Sequence, residues 1–233
     1  MSPTIDLIDW QARTDELNAH GFSVVRGLLS ASRCREIANL FDRAERFRKH
    51  VIMEKHGFGK GEYKYFSYPL PEIIEQIRTN TYPKLAPIAN AWNRAMKIDV
   101  QFPDSHQEFL DRCHEAGQQR PTPLVLKYNS GDYNCLHQDL YGEHVFPLQV
   151  AILLSSPNED FQGGEFVLTE QRPRMQSRVN VVPLSQGDAV IFAVNNRPVK
   201  GTKGFYRVVM RHGVSEIRSG ERYTAGVIFH DAK

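Results

Sequence analysis

Apolar and polar positions alternate with two different periods along this chain, and the period changes near residue 120. Gly21-Phe-Ser-Val-Val-Arg-Gly-Leu-Leu29 reads as a strand entering a helix that Ser30 or Ser32 can cap. Apolar residues then recur at Ile37, Leu40, Phe41, Ala44, Phe47 and Val51, with Arg33, Arg35, Arg43, Arg46 and Arg48 between them. That spacing predicts a helix with one buried face and one solvated basic face. Residues 56–69 carry three glycines and five aromatics, the last four of them interleaved with lysines, and read as a loop. Helical patterns follow near 71–79, near 82–97 (Leu85, Ile88, Ala89, Trp92, Ala95 and Met96 on one face) and, more weakly, near 105–116.

From Leu124 the period becomes that of strands, predicted at 124–129, 135–139, 145–155, 164–169, 178–183, 188–193, 205–213 and 223–229. Turn sequences such as Gln162-Gly-Gly164, Gln186-Gly-Asp188 and Asn195-Asn-Arg-Pro198 separate them. Short strands at this spacing, preceded by helices and without βαβ alternation, predict an α+β fold. It is a double-stranded β-helix, or jelly roll, with N-terminal helices packed on one sheet. The chain reads as a single domain, 1–233. Residues 1–120 form a helical support region with a 56–69 loop, and 121–233 form the jelly-roll core.

Composition narrows the function classes. The chain has 233 residues and 41% hydrophobic residues, enough for a packed core, and a net charge of only +2. So small a charge makes no global case for nucleic acid, and any such case rests on local patches. Cys34, Cys113 and Cys135 are odd in number and widely spaced, with no Cys-x-x-Cys. They read as free thiols in a reducing compartment, not as a disulfide frame or a structural zinc site. The N-terminus shows no signal-peptide pattern and no apolar run reaches membrane-spanning length, so the expected location is cytoplasmic.

The candidate chemistry centres on Leu124-Val-Leu-Lys-Tyr128-Asn-Ser-Gly131-Asp-Tyr133-Asn-Cys-Leu-His137-Gln-Asp139. Residues i and i+2 of a strand share a face, so His137 and Asp139 point the same way. A second histidine would complete the two-His-one-carboxylate set that marks non-haem Fe(II) oxygenases. Past residue 144 only His212 and His230 remain. His212 shares its face with Met210 and Val208, which makes it either a ligand or a satisfied core histidine. Ten residues later, Arg222, Thr224 and Gly226 share a face on another strand. An arginine inside a barrel needs an anion, and its planar fork suits a carboxylate. A 2-oxoglutarate site has that need: the keto acid chelates iron at one end and a cation grips its far carboxylate. His20, His50, His56, His106, His114, His144 and His230 show no paired ligand spacing and read as surface or core residues.

His137-x-Asp139, His212 and Arg222, with Gly163-Gly-Glu-Phe and Gln186-Gly-Asp-Ala-Val-Ile-Phe192 between them, resemble the Fe(II)/2-oxoglutarate dioxygenase superfamily over roughly residues 124–230. The two glycine-containing strands are similar to those of prolyl-hydroxylase-like members. The stretch from Tyr128 to Leu-His-Gln-Asp139 resembles AlkB-type demethylases. The most similar family overall is a bacterial one, proposed to act on damaged, methylated nucleic acid. The ten-residue spacing from His212 to Arg222 is the shorter, prolyl-hydroxylase-like one, and the arginine-rich C-terminal strand pattern of AlkB is not found. The resemblance implies that His137, Asp139 and His212 hold Fe(II). It implies that Arg222 clamps the distal carboxylate of 2-oxoglutarate, with Thr224 adding a hydroxyl and Tyr128 a second donor. It also implies that O2 is consumed and succinate released.

For the substrate, two stretches favour alkylated single-stranded DNA or RNA. Tyr63, Tyr65, Phe66 and Tyr68 alternate with Lys60 and Lys64, as stacking platforms and phosphate contacts would. Arg172, Arg174 and Arg178, with Arg197, Lys200, Lys203, Arg207 and Arg211, could form a basic track on a hairpin rim. The same aromatics would grip a peptide, so a prolyl-type protein hydroxylase is the alternative, with a small-molecule hydroxylase after it. A protein of this fold that only binds is disfavoured, because nothing in the fold itself requires the triad and the arginine.

Overall fold

A computed structural model describes residues 5–140 and 142–233. The chain begins with α1 (Trp10–His20), capped by the Asp9 side chain and stopped by Gly21 at φ 79°. Then come β1 (Phe22–Val25) and α2 (Ala31–Asn39), whose cap is Ser30. The predicted continuation of α2 through Val51 does not form. Two single turns lead instead into β2 (Phe47–Ile52), then β3 (Gly59–Lys60) and β4 (Glu62–Phe66). Half of the predicted 56–69 loop is therefore strand. β2 pairs with β4 and Phe47 stacks on Phe66 at 4.8 Å, so cross-strand packing overrides a helical spacing that was satisfied only by coincidence.

The patterns near 71–79 and 82–97 belong to one helix, α3 (Glu72–Met96), which runs through Pro83 and Pro87. Its buried face continues from Ile77 and Arg78 to Leu85 and Ala89, and tertiary packing holds the register where each proline lacks a donor. α4 (His106–Glu115) follows, capped by Ser105.

The second half supplies β5 (Leu124–Tyr128), β6 (Tyr133–His137), β7 (Leu148–Leu153), β8 (Phe161–Gly163), β9 (Phe166–Gln171), β10 (Arg178–Val182) and β11 (Ala189–Ala193). It closes with β12 (Asn196–Gly201), β13 (Gly204–Val214), β14 (Ile217–Gly220) and β15 (Arg222–Val227). Two antiparallel sheets form the roll. One has the order β1-β11-β7-β15-β5-β4-β2, the other β10-β9-β13-β6-β3 with β12 also on β13. The jelly roll with N-terminal helices is thus the observed architecture. The N-terminal segment contributes more than helices, since β1, β2 and β4 extend the larger sheet and β3 the smaller.

The core lies between the sheets and beneath α3, where Tyr82, Phe109, Phe146 and Phe229 pack ring on ring. Arg78, fully buried on α3, bonds Asp231, the Tyr68 hydroxyl and the Ile228 carbonyl, tying the helix to the segment that follows the last strand. Cys34 and Cys113 are buried, Cys135 is exposed, and all three are free thiols. Among the described residues, no helix is long and apolar enough to cross a membrane.

Candidate metal centre and its cavity

β6 and β13 lie side by side, and His137 and His212 are direct partners across them. β6 ends at His137, so Asp139 stands just beyond the strand and not on it as the alternation predicted. The chain turns its carboxylate back between the two imidazoles all the same. Asp139 Oδ1 is 3.5 Å from His137 Nε2, and Oδ2 is 3.4 Å from His212 Nε2. One donor atom from each residue lies within 4.8 Å of the others, a grouping that can hold a metal ion.

The three side chains set one another's charge. His137 Nδ1 donates to the Cys135 carbonyl at 2.8 Å, which aims Nε2 at the cluster; burial opposes a charge on this ring, but its hydrogen bond to Asp139 outweighs burial and raises His137 above the usual imidazole range. Burial alone would raise the Asp139 carboxyl. Hydrogen bonding to His137 and His212 outweighs it and holds Asp139 well below the usual carboxylate range. Burial, then the charge of His137, pushes His212 down, so it stays neutral. His212 Nδ1 is buried and has no partner among the described residues. Two imidazoles and one carboxylate facing a common point are the N,N,O donor set expected of a non-haem iron site.

A cavity of about 320 Å³ opens from this cluster. Arg222 lies at its other end, 1% exposed. Its Nη1 donates to Thr224 Oγ1 at 2.6 Å, and its guanidinium carbon is 5.7 Å from the ring centres of both Tyr128 and Phe161. No ion pair joins Arg222 to a carboxylate among the described residues, and its Nε is unpartnered. Burial lowers Arg222 to about 10, against the pull of Tyr128 and Glu165. The side chain fits because Gly164 adopts φ 63° and leaves the space. A Cβ there would stand 2.9 Å from Arg222 Cδ and 2.3 Å from Ile217 Cδ1.

Tyr128 is fully buried beside Arg222 and receives a hydrogen bond from Asn134 Nδ2. Tyr128 and Thr224 both line the cavity, as do Tyr63 and Tyr65. Phe66 does not. It points to the opposite face and is fully buried against Phe47, so it is core, because alternation places residue 66 behind the sheet that residues 63 and 65 front. Tyr68 is held by Asp231 and Arg78, and Lys64 by the Phe41 carbonyl.

The basic track is also thinner than predicted. Arg197 is buried and paired with Glu170, and Arg172 bonds the same carboxylate. Arg207 bonds the Met96 carbonyl. Arg174 remains exposed in the β9–β10 hairpin at φ 62°. His144 does not line the cavity. Lining residues that sequence patterns did not single out include Gln149, Phe192, and Phe58 and Leu136, two exposed apolar residues.

Solved structures of low sequence identity share the fold. An oxidoreductase of the 2OG-Fe(II) oxygenase family from Burkholderia pseudomallei aligns with a TM-score of 0.58 at 13% identity, covering 97% of this chain and 93% of its own. A prolyl-4-hydroxylase from Pseudomonas putida gives 0.52 at 16%, covering 96% and 99%. An uncharacterised protein of Mycobacterium tuberculosis H37Rv is 52% identical over 167 residues, 72% of each chain. The Oxygenase-NA model, described as an oxygenase catalysing oxidative methylation of damaged DNA, matches residues 61–232, which include the triad, Arg222 and all the cavity walls except Gly57 and Phe58; the chain belongs to this oxygenase family.

Proposed function

We propose that this oxygenase uses Fe(II), 2-oxoglutarate and O2 to remove alkyl groups oxidatively from nucleic acid. The observation that carries the cosubstrate is Arg222: a buried cation without a carboxylate partner, at one end of a cavity whose other end holds His137, Asp139 and His212. A buried charge left unpaired is costly, so the site calls for an anion. A dicarboxylic keto acid answers both ends, with one carboxylate on Arg222 and Thr224 and the keto-acid end at the metal. Tyr128 closes the wall beside the clamp. Bound iron supplies the activation of O2 for oxidation of a C–H bond. The protein keeps the carboxylate ionised and orients the imidazoles and the oxoacid.

For the substrate, the support is the family description, which names damaged DNA, and the aromatic walls Tyr63 and Tyr65. An alkylated base lodged at the metal would sit between flat apolar surfaces, as bases do in enzymes that act on flipped nucleotides. The test is succinate release by the iron-loaded protein with methylated single-stranded oligonucleotides, peptides and small metabolites offered separately. The reading expects methylated oligonucleotide to raise the rate, with a KM that climbs steeply with salt as phosphate contacts weaken. Stimulation by peptide alone assigns the protein-hydroxylase chemistry instead.

A further inference from the structure

The cavity carries a buried carboxamide, that of Gln149, to which the reading above gives no role. On the larger sheet Thr224 faces Leu153 and Val227 faces Val150. Arg222 lies two residues before Thr224 and Gln149 four before Leu153, so Gln149 sits six residues further along the sheet than Arg222. That is about 20 Å at the ordinary strand rise. On its other side Gln149 faces Phe192, whose ring is 4.6 Å from that of His212. Gln149 therefore lies toward the Phe192 and His212 side of the cavity and away from the arginine.

Its side chain lines the cavity and is 5% exposed, and its Oε1 is buried without a hydrogen-bond partner among the described residues. A buried carboxamide oxygen in this state is unfavourable until a donor enters. A five-carbon oxoacid anchored on Arg222 reaches the metal from the opposite direction and does not supply that donor. The neighbouring walls are Tyr65, Phe166, Phe192 and Ile228, flat or branched and apolar. A carboxamide offers an acceptor and a donor side by side, the complement of the donor–acceptor pattern on a base edge.

We propose that Gln149 determines specificity: its carboxamide hydrogen-bonds the edge of the alkylated base presented to His137, Asp139 and His212. This rests on the nucleic-acid reading above. It is tested by succinate release from the full chain with Fe(II) and 2-oxoglutarate, with and without a single-stranded oligonucleotide carrying one methyladenine or methylcytosine. Gln149→Leu removes the hydrogen bonds. Gln149→Glu keeps the shape and the acceptors and removes the donors. Thermal unfolding confirms that each variant folds. With each rate divided by that variant's own oligonucleotide-free rate, Gln149→Leu should lose about tenfold or more in kcat/KM for the oligonucleotide. Gln149→Glu should change the preference between the two bases. The 2-oxoglutarate KM should move far less than either.

An equal normalised kcat/KM for wild type and Gln149→Leu makes Gln149 a bystander and overturns the inference. A rise in 2-oxoglutarate KM matching the loss with oligonucleotide also overturns it, by assigning Gln149 to the oxoacid. Wild type that releases succinate without any response to oligonucleotide overturns both this inference and the nucleic-acid reading, and leaves the iron–oxoacid reading standing. No succinate under any condition overturns all three.

Discussion

His137 and His212, seventy-five positions apart, face each other across two antiparallel strands with ring centres 4.1 Å apart. The sheet register, not local sequence, makes them one site with Asp139. Fe(II), or Mn(II) or Co(II) in its place, should bind at one ion per chain. Metal analysis after dialysis should show that ion lost in His137→Ala and in His212→Ala. Full metal content in both variants would place the metal elsewhere.

Arg222→Met keeps much of the side chain's volume and removes its charge. Calorimetric titration of the metal-loaded variant should show 2-oxoglutarate binding weakened by at least about tenfold, since truncating one partner of a buried charge pair costs about 2–5 kcal/mol. Metal content should survive. Unchanged affinity would move the clamp to another cation, Lys127 being the first to try.

Burial, then the charge of Arg78, lowers both His106 and His230 to about 4. In the unfolded chain each takes up a proton near pH 6.5. The unfolded state therefore binds more protons between pH 6.5 and 4, and stability falls as pH drops through that window. Each histidine contributes a loss on the order of 2 kcal/mol by pH 5. Chemical unfolding at pH 7 and pH 5 measures this, and His106→Gln should shrink the difference. A flat profile would mean that the two imidazoles titrate normally in the fold.

Phe66→Ala should act on stability. Deleting a buried phenylalanine costs about 3–5 kcal/mol, and a urea midpoint reads it directly. Tyr63→Ala, at the cavity wall, should act chiefly on substrate turnover. A large fall in turnover from Phe66→Ala at unchanged stability would return that residue to the substrate site.

Arg197→Ala should likewise unfold the protein more readily and leave the salt dependence of any oligonucleotide binding unaltered. Removing one partner of a buried pair leaves Glu170 charged and partly unpaired, at a cost of about 3–5 kcal/mol. Arg174→Ala is the contrasting variant, exposed and expected to flatten the salt slope by about one unit per phosphate contact. An Arg197→Ala variant of normal stability with a flatter slope would reverse the two assignments.

The chain's own order of residues determined the two periods, the strands from Leu124 onward, the His-x-Asp pair, and the two residues, His212 and Arg222, on later strands with faces suited to a barrel interior. Those are local properties: alternation, turn glycines and residue type are all visible within a few positions. Tertiary structure alone decided three other matters. It turned the Phe47 and Val51 positions from helix to strand, because pairing with residues 62–66 outweighs a spacing that fits both periods. It joined two helical patterns across Pro83 and Pro87, because a continuous buried face compensates for the missing donors. And it sorted the aromatics and arginines by burial. Phe66 and Arg197 went to the core and Gln149 to the cavity, because which neighbour a side chain meets depends on sheet register between segments far apart in sequence, and no local pattern encodes that distance.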